Sequence, residues 1–278
     1  MNGELPPLFH GVPSWCLAPP SPRHNRAGRR FSRRHAACSW GARKEPRMPQ
    51  LDRSATVAQL VSDHAVAARV FQRLQIDFCC HGDVTVPEAC GGRLDPEAVF
   101  AELEAALPAS GESSLEADPR SLPIPALVAH IIEHHHGYLR RALPFIAPLA
   151  DKVARVHGSH NGKLAELRRT LLELADALEP HLDEEEEVLF PALMSRTPDL
   201  ALVRRELAAM YEDHLAVGQL LARLRGAADG YVTPEWGCSS YRVLMSELEQ
   251  LEGDVLRHVH LENHVLMPRF AAGREARC

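Results

Sequence analysis

The chain has 278 residues, 45% of them apolar and only 5% aromatic, which allows a sizeable core and favours helices over a β-sandwich. No apolar run reaches the ~18 residues of a bilayer-spanning helix, so we expect a soluble protein without a membrane partner. Residues 1–47 hold eight Arg and one Lys against two Glu, whereas the whole chain has a net charge of −6. The remaining sequence is therefore strongly acidic, which excludes a nucleic-acid partner because phosphates would be repelled.

Residues 1–47 read as a disordered basic extension, because they are rich in Pro and Arg and lack helical periodicity. A twin-arginine export signal is disfavoured, since no apolar segment follows Arg33 and Arg34. A transit peptide stays open. We favour a mis-called start, with Met48 as the true first residue, because organised sequence begins just downstream at Thr56.

Residues 48–107 are predicted to form a small helical domain. Thr56 begins a capping box and Asp95 precedes Pro96, both signals of a helix start. Between these signals lies DFCCHGD, with the adjacent Cys79 and Cys80. They are either small buried residues at a helix end or a redox-capable relay, and we expect the adjacent side chains to diverge. An odd total of seven irregularly spaced Cys favours a reducing cytoplasm over a disulfide framework.

A linker at 108–122 precedes four long predicted helices within 123–270, and residues 271–278 form a tail. Pro144 and Pro148 are expected to bend or end the first helix. Helices of this length with short connections predict an up-down-up-down four-helix bundle, in an all-α protein. The predicted helices begin and end at about 125 and the 140s, 163 and 190, 199 and 225, and 238 and 267.

Two segments of this region form an internal repeat. HLDEEEEVLFP occupies 181–191 and HVHLENHVLMP occupies 258–268, so that His181 matches His258 and Glu185 matches Glu262. A histidine and a glutamate four residues apart share one helix face. One such pair is usually an exposed ion pair, but two copies with matching flanks indicate metal ligands.

Spacing identifies two further histidines. His136 precedes His181 by 45 residues, and His214 precedes His258 by 44. Each half of the bundle would then supply one histidine from one helix and a His/Glu pair from the next. The pattern predicts a dinuclear site in which each ion takes two His and both Glu bridge. Imidazole and carboxylate ligands suit iron, manganese or zinc.

The other polar side chains of these helices receive less specific interpretations. We expect Glu184, Glu186 and Glu187 to form a solvated face, and His134 and His135 to lie at the surface. Glu133 lies three residues before His136 and could accept a hydrogen bond from it. His157 is too far along a straight helix to reach the site, although a kink could shorten that distance. Whether Glu133 or His157 joins the site is left open.

These residues together resemble one family. The bundle resembles a hemerythrin-like domain through His136, HLDEE, EDH at 212–214 and HVHLENHVLMPRF at 258–270. With the preceding DFCCHGD, residues 55–270 resemble the di-iron "repair of iron centres" family of iron–sulfur cluster repair proteins. The resemblance implies a cytoplasmic stress-response protein that repairs iron–sulfur clusters damaged by nitric oxide or oxidants. It also implies two non-haem iron ions with oxo and carboxylate bridges.

Carried over, the resemblance makes His136, His181, His214 and His258 ligands, with Glu185 and Glu262 bridging. Damaged iron–sulfur proteins would be the partners, and nitric oxide or oxygen the small ligands; a homodimer stays open. Iron donation to those partners would make the chain a repair protein more than a classical enzyme. Three alternatives remain: a nitric oxide reductase, a hemerythrin-like oxygen or nitric oxide sensor, and a bundle merely stabilised by metal.

Overall fold

The computed structural model describes residues 51–107 and 118–271. The predicted extension at 1–47, the first part of the predicted linker and nearly all of the predicted tail lie outside the described residues. Within that range the secondary structure is helical, as predicted. Four helices form the N-terminal module: α1 (Val57–Asp63), α2 (Val66–Leu74), α3 (Val86–Cys90) and α4 (Pro96–Ala106).

Four longer helices form the bundle, and three of them contain a π-helical turn. After a 3₁₀ turn at Pro119–Ser121 come α5 (Ile124–Ile131, π turn Ile132–His136, Gly137–His157), α6 (Lys163–Glu184, π turn Glu185–Leu189, Phe190–Met194), α7 (Leu200–Ala227), a 3₁₀ turn at Asp229–Tyr231, and α8 (Ser239–His260, π turn Leu261–Leu266, Pro268–Ala271).

The helix starts of the module follow the capping signals in the sequence. The Thr56 hydroxyl accepts a hydrogen bond from the backbone N–H of Gln59, and the Gln59 side chain accepts one from the N–H of Thr56. Asp95 caps α4 by accepting from the N–H of Glu97. These contacts satisfy backbone donors that the first helical turn leaves unpaired.

Ion pairs between neighbouring bundle helices show that successive helices are antiparallel. Along α5 and α6, Arg140 pairs with Asp183 at 2.7 Å and, further on, Asp151 pairs with Arg168 at 2.8 Å. Chain numbers rise on one helix as they fall on the other, which is the up-down-up-down arrangement. The same reversal is seen between α6 and α7 in His181–Asp213 and Arg223–Glu173, and between α7 and α8 in His214–Glu262 and Arg225–Glu252.

The prolines of α5 do not end the helix, so that alternative of the prediction is wrong. Pro144 and Pro148 lie exposed inside the continuous segment Gly137–His157. A proline leaves one helical carbonyl without its donor, and on an exposed face water can satisfy that carbonyl. The buried face of this segment meanwhile packs into the core through Leu143, Ile146 and Ala150.

The N-terminal module shares its hydrophobic core with the bundle. Phe71 and Phe78 of the module belong to the same buried cluster as Leu248 and Val255 of α8. A second, smaller apolar cluster lies nearer the opposite end of the bundle, around Phe190. A polar layer separates the two clusters, and the candidate site lies in that layer. In the part of the chain that the structure describes, no helix has the length and apolarity to cross a membrane.

Candidate metal centre

Six polar side chains from all four bundle helices converge in the layer between the two apolar clusters. All six are among the residues that the repeat and its spacing selected. Each is at most 6% exposed, and Glu262 is fully buried. They are His136 on α5, His181 and Glu185 on α6, His214 on α7, and His258 and Glu262 on α8.

The two carboxylates each lie between two imidazoles. Glu185 places Oε2 3.4 Å from Nε2 of His136 and Oε1 3.3 Å from Nε2 of His181. Glu262 places Oε1 3.0 Å from Nε2 of His258 and Oε2 3.1 Å from Nε2 of His214. Each of the four imidazoles therefore faces a different carboxylate oxygen.

This geometry divides the six residues into two overlapping sets of four. One set is His136, His258 and the two glutamates, and the other is His181, His214 and the same glutamates. Within each set one nitrogen or oxygen atom per residue lies within 4.8 Å of the others. The arrangement has the form of two adjacent cation sites that share both carboxylates.

The hydrogen bonding of this layer is incomplete among the described residues. Both carboxylate oxygens of Glu185 and of Glu262 are buried without a hydrogen-bond partner, as is Nε2 of His214. Nε2 of His136 also faces Nε2 of His258 at 3.1 Å. Buried polar groups are nearly always satisfied, and unpaired buried charge is costly. Cations between these atoms would satisfy them, so the donor set fits a metal centre.

The pKa shifts of the layer also favour a metal centre. Burial and the nearby charge of Glu262 raise the pKa of Glu185 well above its ordinary range. Burial lowers the pKa of His258 to about 4, which keeps this imidazole neutral, the form that binds a metal. A divalent cation would reverse the situation of Glu185, because it favours the ionised carboxylate.

The three π turns lie at the level of this site. Their backbone N–H groups reach back five residues: Gly137 to Ile132, Phe190 to Glu185, and Met267 to Glu262. In α6 and α8 the carbonyl of Glu185 or Glu262 accepts that bond, and a proline stands two residues after the last residue of the π turn. A proline has no N–H for the α-helical ladder, so the matching Pro191 and Pro268 accompany these turns.

Comparison with known proteins covers both parts of this structure. Residues 127–270 match the hemerythrin HHE cation binding domain, and residues 53–107 match a domain of unknown function, DUF542. The chain is 31% identical to the iron–sulfur cluster repair protein ScdA of Staphylococcus haemolyticus, over 77% of this chain and 97% of that one. It is 30% identical to ScdA of Staphylococcus epidermidis, over 77% and 97%.

A third relative is the iron–sulfur cluster repair protein YtfE of Escherichia coli, 30% identical over 74% of this chain and 92% of that one. The chain belongs to the iron–sulfur cluster repair protein family. The family resemblance drawn from the sequence is thereby confirmed, as is the hemerythrin-like bundle. The hemerythrin match implies that this member of the family binds iron through its bundle.

The Nδ1 atoms of three candidate ligand histidines have partners that the sequence interpretation missed. Nδ1 of His136 lies 2.8 Å from Glu186 Oε1, and Arg140 donates to the same oxygen at 3.1 Å. The expectation that Glu186 belongs to a solvated face is therefore wrong. Glu186, not the exposed Glu133, is the acceptor for His136. The bond orients the imidazole and makes it a better ligand.

The second and third partners are Asp213 and Asn263. Nδ1 of His181 lies 3.4 Å from Asp213 Oδ2, and Nδ1 of His214 lies 3.0 Å from Asn263 Oδ1. Each partner is the immediate sequence neighbour of a candidate ligand, His214 and Glu262 respectively. Neighbouring residues on a helix project about 100° apart, so each partner reaches the histidine of an adjoining helix.

The other histidines of these helices lie outside the six-residue layer. His135, expected at the surface, is 7% exposed: its Nδ1 contacts Asp254 Oδ1 at 3.1 Å and its ring stacks on His258. His134 is exposed, as expected. His157 ends α5 at the far end of the bundle, where Nε2 lies 3.2 Å from Sγ of Cys238.

The Cys79–Cys80 pair lies against the ligand-bearing helices. Sγ of Cys80 is 3.8 Å from the backbone oxygen of His214, and Tyr211 donates its hydroxyl to the carbonyl of Cys80 at 3.3 Å. The expectation that the two side chains diverge is wrong, because their Sγ atoms are 3.6 Å apart. Asp77 causes this turn by accepting hydrogen bonds from both cysteine N–H groups.

The two thiols differ in acidity. Their mutual hydrogen bond and burial raise the pKa of Cys79, whereas the same hydrogen bond lowers the pKa of Cys80. An oxygen of Asp77 and both sulfurs lie within 4.8 Å of one another. The pair could therefore hold a cation, with Cys80 as the more readily ionised thiol.

A small cavity of about 30 Å³ lies beside the site, between α6 and α7. His181 and Glu185 line its inner side, and Glu184, Glu206 and Asp213 line it as well. It can admit a molecule of the size of water. Its acidic lining attracts cations and disfavours anions, because charges of opposite sign attract in such a confined space.

Proposed function

We propose that this chain is a di-iron protein that repairs iron–sulfur clusters damaged by nitrosative or oxidative stress, by supplying iron from its buried histidine/glutamate layer. The observation that carries this proposal is the pair of buried carboxylates, Glu185 and Glu262, each lying between two imidazoles and without hydrogen-bond partners among the described residues. The names of its relatives, which are iron–sulfur cluster repair proteins, supply the reaction.

The proposed roles of the residues follow from the distances. His136 and His258 would hold one iron ion, His181 and His214 would hold the other, and Glu185 and Glu262 would contribute to both. When bound, iron supplies a redox-active cation that binds nitric oxide or oxygen and can be passed to a damaged cluster. Glu186, Asp213 and Asn263 hold the imidazole rings in place.

The composition of the layer supports release of iron. None of its six side chains is a thiolate, whereas cysteine thiolates are the ligands that hold iron–sulfur clusters. Each set of four residues would supply two imidazole nitrogens and two carboxylate oxygens to its ion. An ion that takes six ligands would then have positions left for other ligands. We therefore propose that the iron bound in this layer can be released to a damaged cluster.

The Cys79–Cys80 pair is proposed as the relay. It lies against the backbone of the ligand His214, and Asp77 adds a carboxylate oxygen near both sulfurs. Thiolates are soft ligands that suit the environment of an iron–sulfur cluster better than the histidine/glutamate layer does. Damaged iron–sulfur proteins in the cytoplasm are the proposed partners.

The proposal is tested with the iron-loaded chain and a dehydratase whose 4Fe–4S cluster has been damaged by nitric oxide. We expect recovery of dehydratase activity with the wild type and none with the Glu185→Gln/Glu262→Gln variant, which retains neither bridging carboxylate. Glu187→Gln is the matched control, because Glu187 is exposed on the same helix. Repair by the double variant at the wild-type rate, or a wild type that binds zinc only, refutes the proposal.

Nitric oxide reduction is a second candidate, and the close approach of the two thiols favours it. Oxidation of the pair to a disulfide releases two electrons and two protons, which balance the conversion of two nitric oxide molecules to nitrous oxide and water. A reductase consumes nitric oxide repeatedly when a thiol reductant is supplied, and a Cys79→Ser/Cys80→Ser variant stops after the electrons of iron are used. Nitrous oxide production without cluster repair would favour this function.

A further inference from the structure

Asn263 lies between the Cys79–Cys80 loop and the candidate metal layer, and it contacts both. Its Oδ1 lies 3.0 Å from Nδ1 of His214. Its Nδ2 donates to the backbone oxygen of Cys79 at 2.9 Å. One side chain therefore joins the loop backbone to a candidate ligand through two hydrogen bonds.

These two contacts determine the orientation of the amide and the tautomer of the histidine. Only the NH₂ group of an amide can donate to the carbonyl of Cys79, so the amide oxygen must face His214. The Nδ1 of His214 must then carry the proton. In the neutral ring Nε2 then carries the lone pair, and this atom lies inside the layer, 3.1 Å from Glu262 Oε2.

The other ligand histidines with outer partners differ in this respect. His136 and His181 meet the carboxylates of Glu186 and Asp213, which belong to α6 and α7 of the bundle itself. Of these partners, only Asn263 also contacts the N-terminal module. Displacement of the Cys79 carbonyl would therefore disturb the hydrogen bond of His214 before those of His136 and His181.

We infer that Asn263 is a positioning residue that couples the Cys79–Cys80 loop to the His181–His214 half of the metal layer. Displacement of the loop loosens the iron ion held by that half and leaves the ion of the His136–His258 half in place. This inference rests on the proposed di-iron function and adds the order in which the two ions leave.

The structure also offers a way to displace the loop without changing a ligand. A Cβ atom at Gly82 would lie 2.5 Å from the backbone oxygen of Phe78 and 2.6 Å from Cβ of Ala58. It would also lie 3.0 Å from Nε2 of His264, an atom that itself contacts the Cys79 carbonyl at 3.0 Å. Gly82→Ala must therefore shift the loop.

The experiment combines Gly82→Ala with two changes at Asn263. Asn263→Leu removes both hydrogen bonds. Asn263→Asp keeps an acceptor for His214 but cannot donate to Cys79, so it separates the two contacts. Asn161→Leu is the matched control at the far end of the bundle, where the Asn161 amide donates to the hydroxyl of Tyr241. Iron content, Mössbauer spectra and the rate of iron transfer to a ferrous chelator are measured for the full chain.

We expect two phases of iron transfer in the wild type. Gly82→Ala and Asn263→Leu each accelerate the first phase about 10–100-fold, the usual cost of losing an outer partner of a metal ligand, and leave the second unchanged. Asn263→Asp retains iron as well as the wild type. When Gly82→Ala is added to Asn263→Leu or to Asn263→Asp, the rate of the first phase does not change further. This non-additivity is expected if the loop acts on the layer through Asn263.

Three results overturn the inference. Equal acceleration of both phases would mean that loop displacement acts on the whole layer. An additive effect of Gly82→Ala in the Asn263→Asp background would mean that coupling bypasses the amide. Thermal melting of each variant shows whether it is folded, and so separates these two results from an effect of unfolding. A wild type without two bound irons refutes the di-iron function instead, whereas wild-type behaviour of every variant refutes only the inference.

Discussion

The metal layer should lower the stability of the iron-free chain, and this can be measured with the Glu185→Leu/Glu262→Leu variant. Both carboxylates are buried without hydrogen-bond partners among the described residues, between two apolar clusters. Leucines at these positions would join those clusters into one core. Replacing buried ionic groups by apolar side chains is neutral or stabilising by about 1–4 kcal/mol.

A middle value of about 2 kcal/mol corresponds to a rise of about 4–8 °C in the melting temperature of a chain of this size. In the presence of iron we expect the wild type to melt above the double variant. Free ferrous iron at about 100 times its dissociation constant stabilises the wild type by about 2.7 kcal/mol, and it cannot stabilise a variant that does not bind it.

The assay is anaerobic thermal denaturation followed by far-UV circular dichroism, with and without ferrous iron. Glu187→Leu is the control for exchanging a glutamate on α6, because Glu187 is exposed. The reasoning is refuted if the iron-free double variant melts below the iron-free wild type. It is also refuted if iron raises the melting temperature of the double variant as much as that of the wild type.

Two further predictions concern protons and thiols. Because the pKa of Glu185 is raised in the folded, iron-free chain, its contribution to stability is present below its ordinary value of 4.5 and is lost as the pH rises. Glu185→Gln should therefore stabilise the iron-free chain more at about pH 8 than at about pH 5 in urea unfolding, and an equal effect at both would contradict this. Hydrogen bonds from the backbone N–H of Tyr241 lower the pKa of the exposed Cys238, whereas Cys79 is buried with a raised pKa. Iodoacetamide should label Cys238 before Cys79 in native protein, as mapped by mass spectrometry, and the reverse order would contradict the burial and pKa of these thiols.

The six residues of the layer could be read from the sequence because their signals are local. A histidine and a glutamate four residues apart share a helix face in any α-helix, as at His181 and Glu185. The repeat at His258 and Glu262 then sets the level at which the other helices must contribute. The similar spacings of 45 and 44 residues to the next His/Glu pair select His136 and His214, since each helical residue adds a constant rise.

The outer partners could not be read in the same way. Glu186 stands in an acidic run that resembles a solvated face, and its side chain is half-buried because His136 and Arg140 of the neighbouring helix α5 contact its carboxylate. His135 is buried because α8 packs over that side of α5, with Asp254 as its partner. Both outcomes depend on how one helix is rotated against another, which a periodicity within one helix does not contain.

The sequence by itself determined the helices, their caps and the presence of two adjacent cysteines, because each depends on residues a few positions apart. It also contained two similar His/Glu pairs, each local to one helix, that mark the candidate ligands. Only the tertiary structure decided that the Cys79 loop lies against His214 and that Asn263 joins them, across 184 residues of chain. The 3.6 Å separation of the two sulfurs has a local cause instead, because Asp77 forms the turn by accepting from both cysteine N–H groups, and the sequence interpretation missed that turn. The contact between Asn263 and the Cys79 loop depends on how the module packs against the bundle, in the core that they share, and no pattern within one helix contains that packing.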